Sequence, residues 1–230
     1  MRNTLLQPLT IAIDGTAASG KSTVAALLAQ SLGYLYFDTG VMYRAVTWAA
    51  LDRKIEVEDV ERVSGLAETL AIEVKPDGPD DGRQYTVLAD GQDVTWAIRS
   101  PEVDEHVSRV SSYPRVRAAL TEQQRRIAAN GSMVMVGRDI GTVVLPKADL
   151  KFFLRASPEE QARRRHRDYL AQGQNADFDE ILAHILERDK QDREKPISPM
   201  VPASDAIIID TDNLSIEEVL AQLERIVVSK

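Results

Sequence analysis

Residues 15–22 read GTAASGKS and fit the phosphate-loop pattern GxxxxGK[ST]. The apolar residues 9–13 precede this loop as a predicted buried strand, and residues 23–30 follow it as a predicted helix. In that context the backbone amides of the loop point at phosphate oxygens, at the positive end of the following helix. The sequence therefore predicts a nucleoside triphosphate site. The alternative, a surface Gly/Ser turn, is disfavoured by the flanking strand and helix.

The backbone amides of the loop are predicted to surround the phosphates, and two of its side chains have specific roles. Lys21 can reach the β- and γ-phosphates, and the Ser22 hydroxyl can hold Mg²⁺, bound largely through substrate phosphates and water. Asp14, just before the loop, either contacts Mg²⁺ through water or only braces the loop. The residues predicted to bind the triphosphate are Gly15, Thr16, Ala17, Ala18, Ser19, Gly20, Lys21, Ser22 and Thr23.

Charge and composition restrict the partners. The 230 residues carry a formal net charge of −8, so the surface as a whole repels nucleic acid and anionic membranes. The chain has no cysteine, which excludes disulfides, thiolate metal sites and a cysteine nucleophile. Residues 1–8 lack the apolar core of a signal peptide, and no apolar run reaches 18 residues. We predict a soluble cytoplasmic protein with no nucleic-acid or membrane partner.

Short apolar runs alternate with helical patterns along most of the chain, which predicts an α/β fold with a parallel sheet covered on both faces. Residues 71–97 differ, because two alternating stretches and the turn signal Asp90-Gly91 predict a hairpin and hence a small inserted β-rich module. The other predicted strands are 34–37, 133–136, 151–154 and 206–209. The predicted helices are 41–53, 57–70, 101–112, 114–129, 158–172, 178–192 and one that begins at Ser215.

Arginine-bearing clusters fall at residues 38–44, 113–117, 137–142 and 187–192, where predicted strands end or helices begin. Ligands of open α/β sheets bind outside the carboxyl ends of the strands. Several arginines there, in an acidic chain, indicate a second anionic ligand, most simply the phosphate of an acceptor. The chain has neither an NKxD guanine signature nor an apolar run ending in Asp-Glu. These absences favour a kinase over a GTPase switch or a motor ATPase.

At these clusters the sequence closely resembles the bacterial cytidylate kinase family, whose members phosphorylate CMP and dCMP with ATP. The resemblance runs from residue 13 to residue 217 and is most specific at DTGVMYR (38–44), YPRVR (113–117) and GRDIGTVV (137–144). It implies a P-loop nucleoside monophosphate kinase fold with a five-stranded parallel sheet flanked by helices. The implied kinase core is 1–70 with 98–230, the inserted module of the monophosphate-binding region is 71–97, and the lid is about 157–175. The implied substrates are ATP and CMP or dCMP, with Mg²⁺ as cofactor, and we predict a monomer.

The resemblance also implies roles for individual residues. Arg44 and Arg138 would hold the CMP phosphate. Ser108, Arg117 and Asp139 would read the cytosine edge, while Arg188 and Asp192 would contact the sugar and its phosphate side. The implied catalytic residues are Lys21, Arg44, Arg138 and Arg188, and Arg164 joins the ATP-binding residues. The implied CMP-binding residues are Asp38, Thr39, Tyr43, Arg44, Ser108, Arg117, Gly137, Arg138, Asp139, Arg188 and Asp192.

Some of these assignments have alternatives. Asp38 could simply cap the helix that follows it, and Arg163, Arg164 and Arg165 could form a solvated helix face instead of a lid. The family usually has arginine where this chain has Lys195, which keeps the charge but loses the planar fork. Lys195 therefore either reaches the phosphates or is a solvated loop residue. A P-loop kinase for another small acceptor, such as UMP or shikimate, and a nucleotide-dependent switch remain as alternative functions.

Overall fold

The computed structural model describes residues 9–75, 78–129, 131–171, 173, 175–194 and 197–229. Lys195 lies outside the described residues. Proximity of Cα atoms divides the chain into two compact units, Met1–Tyr36 with Gly131–Lys230, and Phe37–Asn130. The core, inserted module and lid implied by the resemblance are a different division of the chain, and their boundaries stay predictions.

The elements follow the alternation expected from the sequence. The strands are β1 (Thr10–Gly15), β2 (Leu35–Asp38), β3 (Ile72–Lys75), β4 (Thr86–Ala89), β5 (Gln92–Asp93), β6 (Met133–Val136), β7 (Leu150–Arg155) and β8 (Ile207–Asp210). The helices are α1 (Lys21–Leu32), α2 (Gly40–Asp52), α3 (Val60–Thr69), α4 (Pro101–Val110), α5 (Pro114–Ala128), α6 (Pro158–Ala171), α7 (Phe178–Glu194) and α8 (Ile216–Val228). Among the described residues, none of these helices combines the length and apolarity needed to cross a membrane.

The larger sheet has five strands in the order β2-β6-β1-β7-β8, which confirms the predicted five-stranded sheet. β1 pairs in parallel with β6 on one side and with β7 on the other, so that Ile11 lies opposite both Val134 and Leu150. β7 pairs in parallel with β8. Because β1 is central and both its faces are covered, its residues read as a continuous apolar run. The loop that follows β1 therefore starts at the carboxyl edge of the sheet, near its middle.

Helices α1 and α8 pack on this sheet and fix the position of the loop. Val24 and Leu28 of α1 and Leu223 of α8 are fully buried in one core with Phe152 of β7. The N-terminus of α8 carries a capping box. The Ser215 hydroxyl accepts the amide of Glu218, whose carboxylate accepts the amide of Ser215. The start of α1 is thus attached to a rigid layer.

The unit Phe37–Asn130 contains α2 to α5 and the three-stranded antiparallel sheet β3-β4-β5. Within it α2 packs on α4, and α3 packs on α5. The turn between β4 and β5 has positive φ at both central residues, 48° at Asp90 and 80° at Gly91, as the two-residue hairpin signal requires. The hairpin predicted from the sequence is therefore confirmed. Ala97–Arg99 form a 3₁₀ turn that leads into α4.

Candidate active site

The loop between β1 and α1 folds back on itself around Thr16. The Lys21 ammonium donates to the Thr16 carbonyl at 2.9 Å, and the Ser19 hydroxyl donates to the same oxygen at 3.0 Å. Gly20 has a left-handed conformation, φ 81°, and is the N-cap residue of α1. Because Gly20 has no side chain, α1 has no side-chain cap, and the positive end of the helix faces the loop. This arrangement suits an anionic ligand.

Gly15 lies against the backbone of β7. A Cβ atom at this position would be 1.9 Å from the Leu154 carbonyl oxygen, and φ is 152°, a conformation that other residues rarely adopt. This close approach allows a hydrogen bond, because the Thr16 amide donates to that carbonyl at 3.2 Å. We expect Gly15→Ala to lower the unfolding free energy by about 3 kcal/mol or more, since β1 or β7 must move. Denaturant unfolding measures this loss of stability, and triphosphate binding measures its effect on the phosphate loop.

Gly65 supplies a control for this substitution. It lies within α3, and a Cβ atom there would meet no atom within 4 Å. Gly65→Ala should therefore raise the unfolding free energy by about 0.5–1 kcal/mol, the usual gain in helix propensity. A Gly15→Ala variant as stable as the Gly65→Ala variant would contradict the close approach.

A cavity of about 590 Å³, called here the P-loop cavity, opens beside the loop. Arg164 of α6 lines it and joins three parts of the chain. Its guanidinium donates to the Ala18 carbonyl at 3.3 Å, to the Thr211 carbonyl at 2.5 Å and to the Glu160 carboxylate at 3.0 Å. The structure thus brings Arg164, assigned to ATP by resemblance, to the edge of the phosphate loop.

The neighbouring arginines of α6 differ from Arg164. Arg163 is exposed and pairs with Glu160 at 2.7 Å, and the Arg165 guanidinium lies 5.9 Å from the centre of the Tyr169 ring. Arg167, which the sequence reasoning did not single out, lines the P-loop cavity. It could have been found, because a residue three positions after Arg164 lies on the same face of a helix. The cavity is lined by Ala18, Ser19, Gly20, Lys21, Ser22, Thr23, Glu160, Arg164, Arg167, Asp168, Leu214, Ser215 and Ile216.

Asp14, the residue before the loop, binds a distant segment. Its two carboxylate oxygens accept the amides of Ile140 and Gly141, each at 2.7 Å, and the residue is only 4% exposed. Burial raises the pKa of Asp14 to about 6, although these two hydrogen bonds act in the opposite direction. Both oxygens are thus hydrogen-bonded to the segment after β6, and Asp14 ties that segment to the end of β1.

The segment held by Asp14 begins directly after β6 and carries Gly137, Arg138 and Asp139. Arg138 forms an ion pair at 2.7 Å with Asp192 of α7, and its guanidinium also lies 3.2 Å from the Met200 sulfur. Asp139 is buried and precedes the π-helical turn Ile140–Val144, whose last two amides donate to its carbonyl. Of the two assigned α7 residues, Asp192 is buried beside Arg138, whereas Arg188 is exposed.

In the unit Phe37–Asn130 the structure forms a second group, around Arg44 of α2. Arg44 donates to the Ile98 carbonyl at 3.1 Å and pairs with Asp104 of α4 at 2.5 Å. Asp38 accepts the amide of Gly40 at 2.9 Å, so it does support the start of α2, and Thr39 is the N-cap residue.

The predicted base-reading residues of this unit are placed differently. The guanidinium of Arg117 lies 5.5 Å from the centre of the Tyr43 ring, and both residues are buried. Arg117 also donates to the Ser111 carbonyl at 3.1 Å. Ser108 is exposed on α4, and its carbonyl accepts the Ser111 hydroxyl at 2.9 Å. The structure therefore brings Tyr43 and Arg117 together, and the role of Ser108 stays a prediction.

A second cavity, of about 290 Å³ and called here the Arg44 cavity, lies beside Arg44. Tyr85, next to β4 of the small sheet, and Arg99 of the 3₁₀ turn line it, and Arg99 lies 3.5 Å from the Tyr85 hydroxyl. Burial raises the pKa of Tyr85 to about 12, so the hydroxyl keeps its proton. The sequence reasoning missed both residues, because nothing in a single sequence pairs a strand of the insertion with Arg44. The cavity is lined by Asp38, Gly40, Val41, Arg44, Tyr85, Ile98, Arg99 and Asp104.

A parallel sheet whose central strand runs through a glycine-rich phosphate loop into a helix defines the class of P-loop proteins. The cytidylate kinase family model matches residues 11–229. The chain therefore belongs to the cytidylate kinase family and is a kinase.

Individual relatives agree with this assignment. The chain is 52% identical over 224 residues to a cytidylate kinase of Chloroflexus aggregans, covering 97% of this chain and 96% of that one. It is 49% identical over 217 residues to a cytidylate kinase of Carboxydothermus hydrogenoformans, covering 94% and 96%. Among solved structures, an uncharacterised protein of Eubacterium ventriosum matches with a TM-score of 0.53 at 13% identity, over 96% and 99% of the two chains. That last likeness shows a shared fold alone.

Proposed function

We propose that the protein transfers the γ-phosphoryl group of ATP to CMP and dCMP, giving ADP and CDP or dCDP, in pyrimidine nucleotide metabolism. The observation that carries the proposal is the match of almost the whole chain to the cytidylate kinase family and to relatives with that name. The arginine-bearing clusters of the sequence, to which Arg44 and Arg138 belong, support an anionic acceptor.

The residues of the phosphate loop act on the donor. Lys21 and the loop amides neutralise charge on the β- and γ-phosphates, and α1 adds the positive end of its dipole. Arg164 adds a further cation at the P-loop cavity. The segment at about 157–175 acts as a lid that excludes water, because water would otherwise compete with CMP for the phosphoryl group. These groups align and neutralise; none has to form a covalent intermediate.

The acceptor needs no general base. The phosphate of CMP is already an anion at neutral pH, since its second pKa is about 6, so a phosphate oxygen can attack the γ-phosphorus directly. Arg44 and Arg138 hold that phosphate and reduce its repulsion from ATP. Arg117 and Asp139 bind the cytosine edge, and Arg188 and Asp192 bind the sugar side. These roles follow from the family resemblance at matching positions.

Mg²⁺ fits this chain as an ion that arrives with the nucleotide. Within the described residues, no group of three or more His, Cys, Asp or Glu could hold a metal. Both Asp14 oxygens accept backbone amides. The Ser22 hydroxyl at the start of α1 is the protein group that would hold the ion, the remaining ligands being phosphate and water oxygens. When bound, Mg²⁺ would neutralise phosphate charge and orient the transferred group.

A substrate panel tests the proposal. Steady-state rates are measured with ATP and Mg²⁺ against CMP, dCMP, UMP, AMP, GMP and shikimate at equal concentrations. We expect CMP and dCMP to have the highest kcat/KM. A site that binds the exocyclic amino group of cytosine leaves its own polar groups unpaired with uracil, at about 1–3 kcal/mol each. UMP should therefore be slower by about tenfold or more.

Each other outcome has a defined meaning. A higher kcat/KM with shikimate or UMP than with CMP would mean that the protein is a kinase for that acceptor and not for CMP. ATP hydrolysis that no acceptor stimulates would contradict the phosphotransferase proposal and favour a nucleotide-dependent switch.

A further inference from the structure

Arg44 already has an anionic partner in the protein. Its Nη2 atom lies 2.5 Å from an Asp104 oxygen, and its Nη1 atom donates to the Ile98 carbonyl at 3.1 Å. A carboxylate and a phosphate use the same guanidinium donors. An acceptor phosphate that binds Arg44 must therefore either displace Asp104 or share Arg44 with it.

The charges around the Arg44 cavity make sharing unfavourable. The cavity is lined by two arginines, Arg44 and Arg99, and by two aspartates, Asp38 and Asp104. The two positive and two negative formal charges of these side chains therefore cancel when no ligand is bound. A phosphate monoester brings a further charge of about −1.5 to −2. One carboxylate has to leave if the phosphate is to meet a net positive site.

Asp104 can leave more cheaply than Asp38. The Asp104 side chain is 56% exposed, so its carboxylate can rotate away from Arg44 and be hydrated at little cost. Asp38 by contrast accepts the amide of Gly40 at the start of α2. Leaving that contact would remove an acceptor from the helix N-terminus.

We propose that Asp104 occupies, in the absence of substrate, the contact on Arg44 that the acceptor phosphate takes, and so weakens the binding of CMP by direct competition. The inference rests on the proposed function, because it requires Arg44 to bind the acceptor phosphate. Asp104 thus acts through Arg44 and tunes acceptor affinity without touching the substrate. The apparent dissociation constant rises as the fraction of molecules with an unpaired Arg44 falls.

The test measures KM and kcat for CMP in Asp104→Ala. Competition acts only on binding, so we expect KM for CMP to fall by about two- to fivefold, the range of a partly exposed ion pair. The kcat and the KM for ATP should stay unchanged, since Asp104 is displaced in the saturated enzyme. Titration with CMP and with cytidine adds a readout without turnover. Affinity should increase for CMP and not for cytidine, which has no phosphate.

Glu102→Ala is the matched control. Glu102 lies in the same first turn of α4, is exposed and has no ion pair among the described residues. It therefore reports the loss of one negative charge and of a favourable helix-dipole contact without releasing Arg44. We expect no change in its KM for CMP. Asp104→Glu retains a carboxylate and should restore KM towards the wild-type value.

Four outcomes would overturn the inference while the proposed function stands. These are an unchanged KM for CMP in Asp104→Ala, a higher KM, an equal fall in Glu102→Ala, and an equal gain for cytidine. A higher KM would mean that Asp104 positions Arg44 for the phosphate. Failure of the wild-type enzyme to phosphorylate CMP would refute the proposed function, and the inference with it.

Discussion

Lys21→Ala is expected to lower kcat with ATP and CMP by about a hundredfold to a thousandfold or more, the cost of removing one donor to the charge of a transition state. Lys21 is the first residue of α1, and its ammonium lies over the loop, 2.9 Å from the Thr16 carbonyl. The residue belongs to the loop and not to the apolar core, so the fold should survive. Thermal unfolding by circular dichroism checks the fold, and initial rates at saturating ATP and CMP check the transfer.

Lys147→Ala is the control for the loss of a positive charge. Lys147 is exposed in the segment that connects the π-helical turn to β7. It should retain wild-type kcat and KM. Near-normal turnover in Lys21→Ala would mean that residues 15–22 do not hold the donor phosphates, and the assignment of the loop would be wrong.

The stability of Asp14→Asn relative to wild type is expected to increase as the pH rises. The pKa of Asp14 is raised from 3.8 to about 6 in the folded protein, chiefly by burial. A raised carboxyl pKa contributes stability that is complete below about pH 4 and lost as the pH rises through about 6. Two pKa units correspond to ~3 kcal/mol. Asparagine resembles the protonated acid and does not titrate. The unfolding free energy of the variant minus that of wild type should increase by ~3 kcal/mol between about pH 4 and pH 7.5.

The same variant should be less active. Asparagine offers one acceptor oxygen, whereas Asp14 receives two amides, from Ile140 and Gly141. One buried amide is then unsatisfied, at about 1–3 kcal/mol, which loosens the segment that carries Arg138 and Asp139. We expect kcat/KM for CMP to fall by about tenfold.

Asp149→Asn provides the comparison, because Asp149 also accepts an amide, that of Thr10, but is exposed. Its kcat/KM for CMP should stay near the wild-type value, because this hydrogen bond is exposed and the Thr10 amide can donate to water instead. If the unfolding free energy of Asp14→Asn minus that of wild type were constant with pH, the pKa of Asp14 would not be raised by burial.

Much of the fold could be predicted because the signals are local. The central strands are short apolar runs, and the observed β6 (Met133–Val136) coincides with its prediction. The hairpin followed from two adjacent residues, Asp90 and Gly91, whose positive φ values the turn requires. Boundaries differed by a residue or more at several ends; α7, for example, continues to Glu194 and not only to residue 192. Helix ends fray, and their last turn is not encoded sharply.

The candidate site was predicted less completely because its contacts join residues far apart in sequence. The partners of Asp14 lie 126 and 127 positions away. The π-helical turn that presents them has no local signature in the chain. Asp104 is an acidic residue in the first turn of α4, and nothing in the sequence pairs it with Arg44, as the structure does. The binding roles of the arginines themselves remain predictions, carried by motif and family.

Helices α6 and α7 hold together by a small core of their own. Among the described residues, its fully packed members are Ala162, Ile181 and Ile185, separate from the large core beneath the sheet. One buried hydrogen bond, from Gln161 to Asp189 at 3.1 Å, adds to it. Because this core is much smaller than the one beneath the sheet, we expect the helix pair to open at a lower free energy than β1 or α1. We therefore expect the support of the phosphate loop to be the more stable part, and the helix pair that includes the lid proposed at about 157–175 to open first.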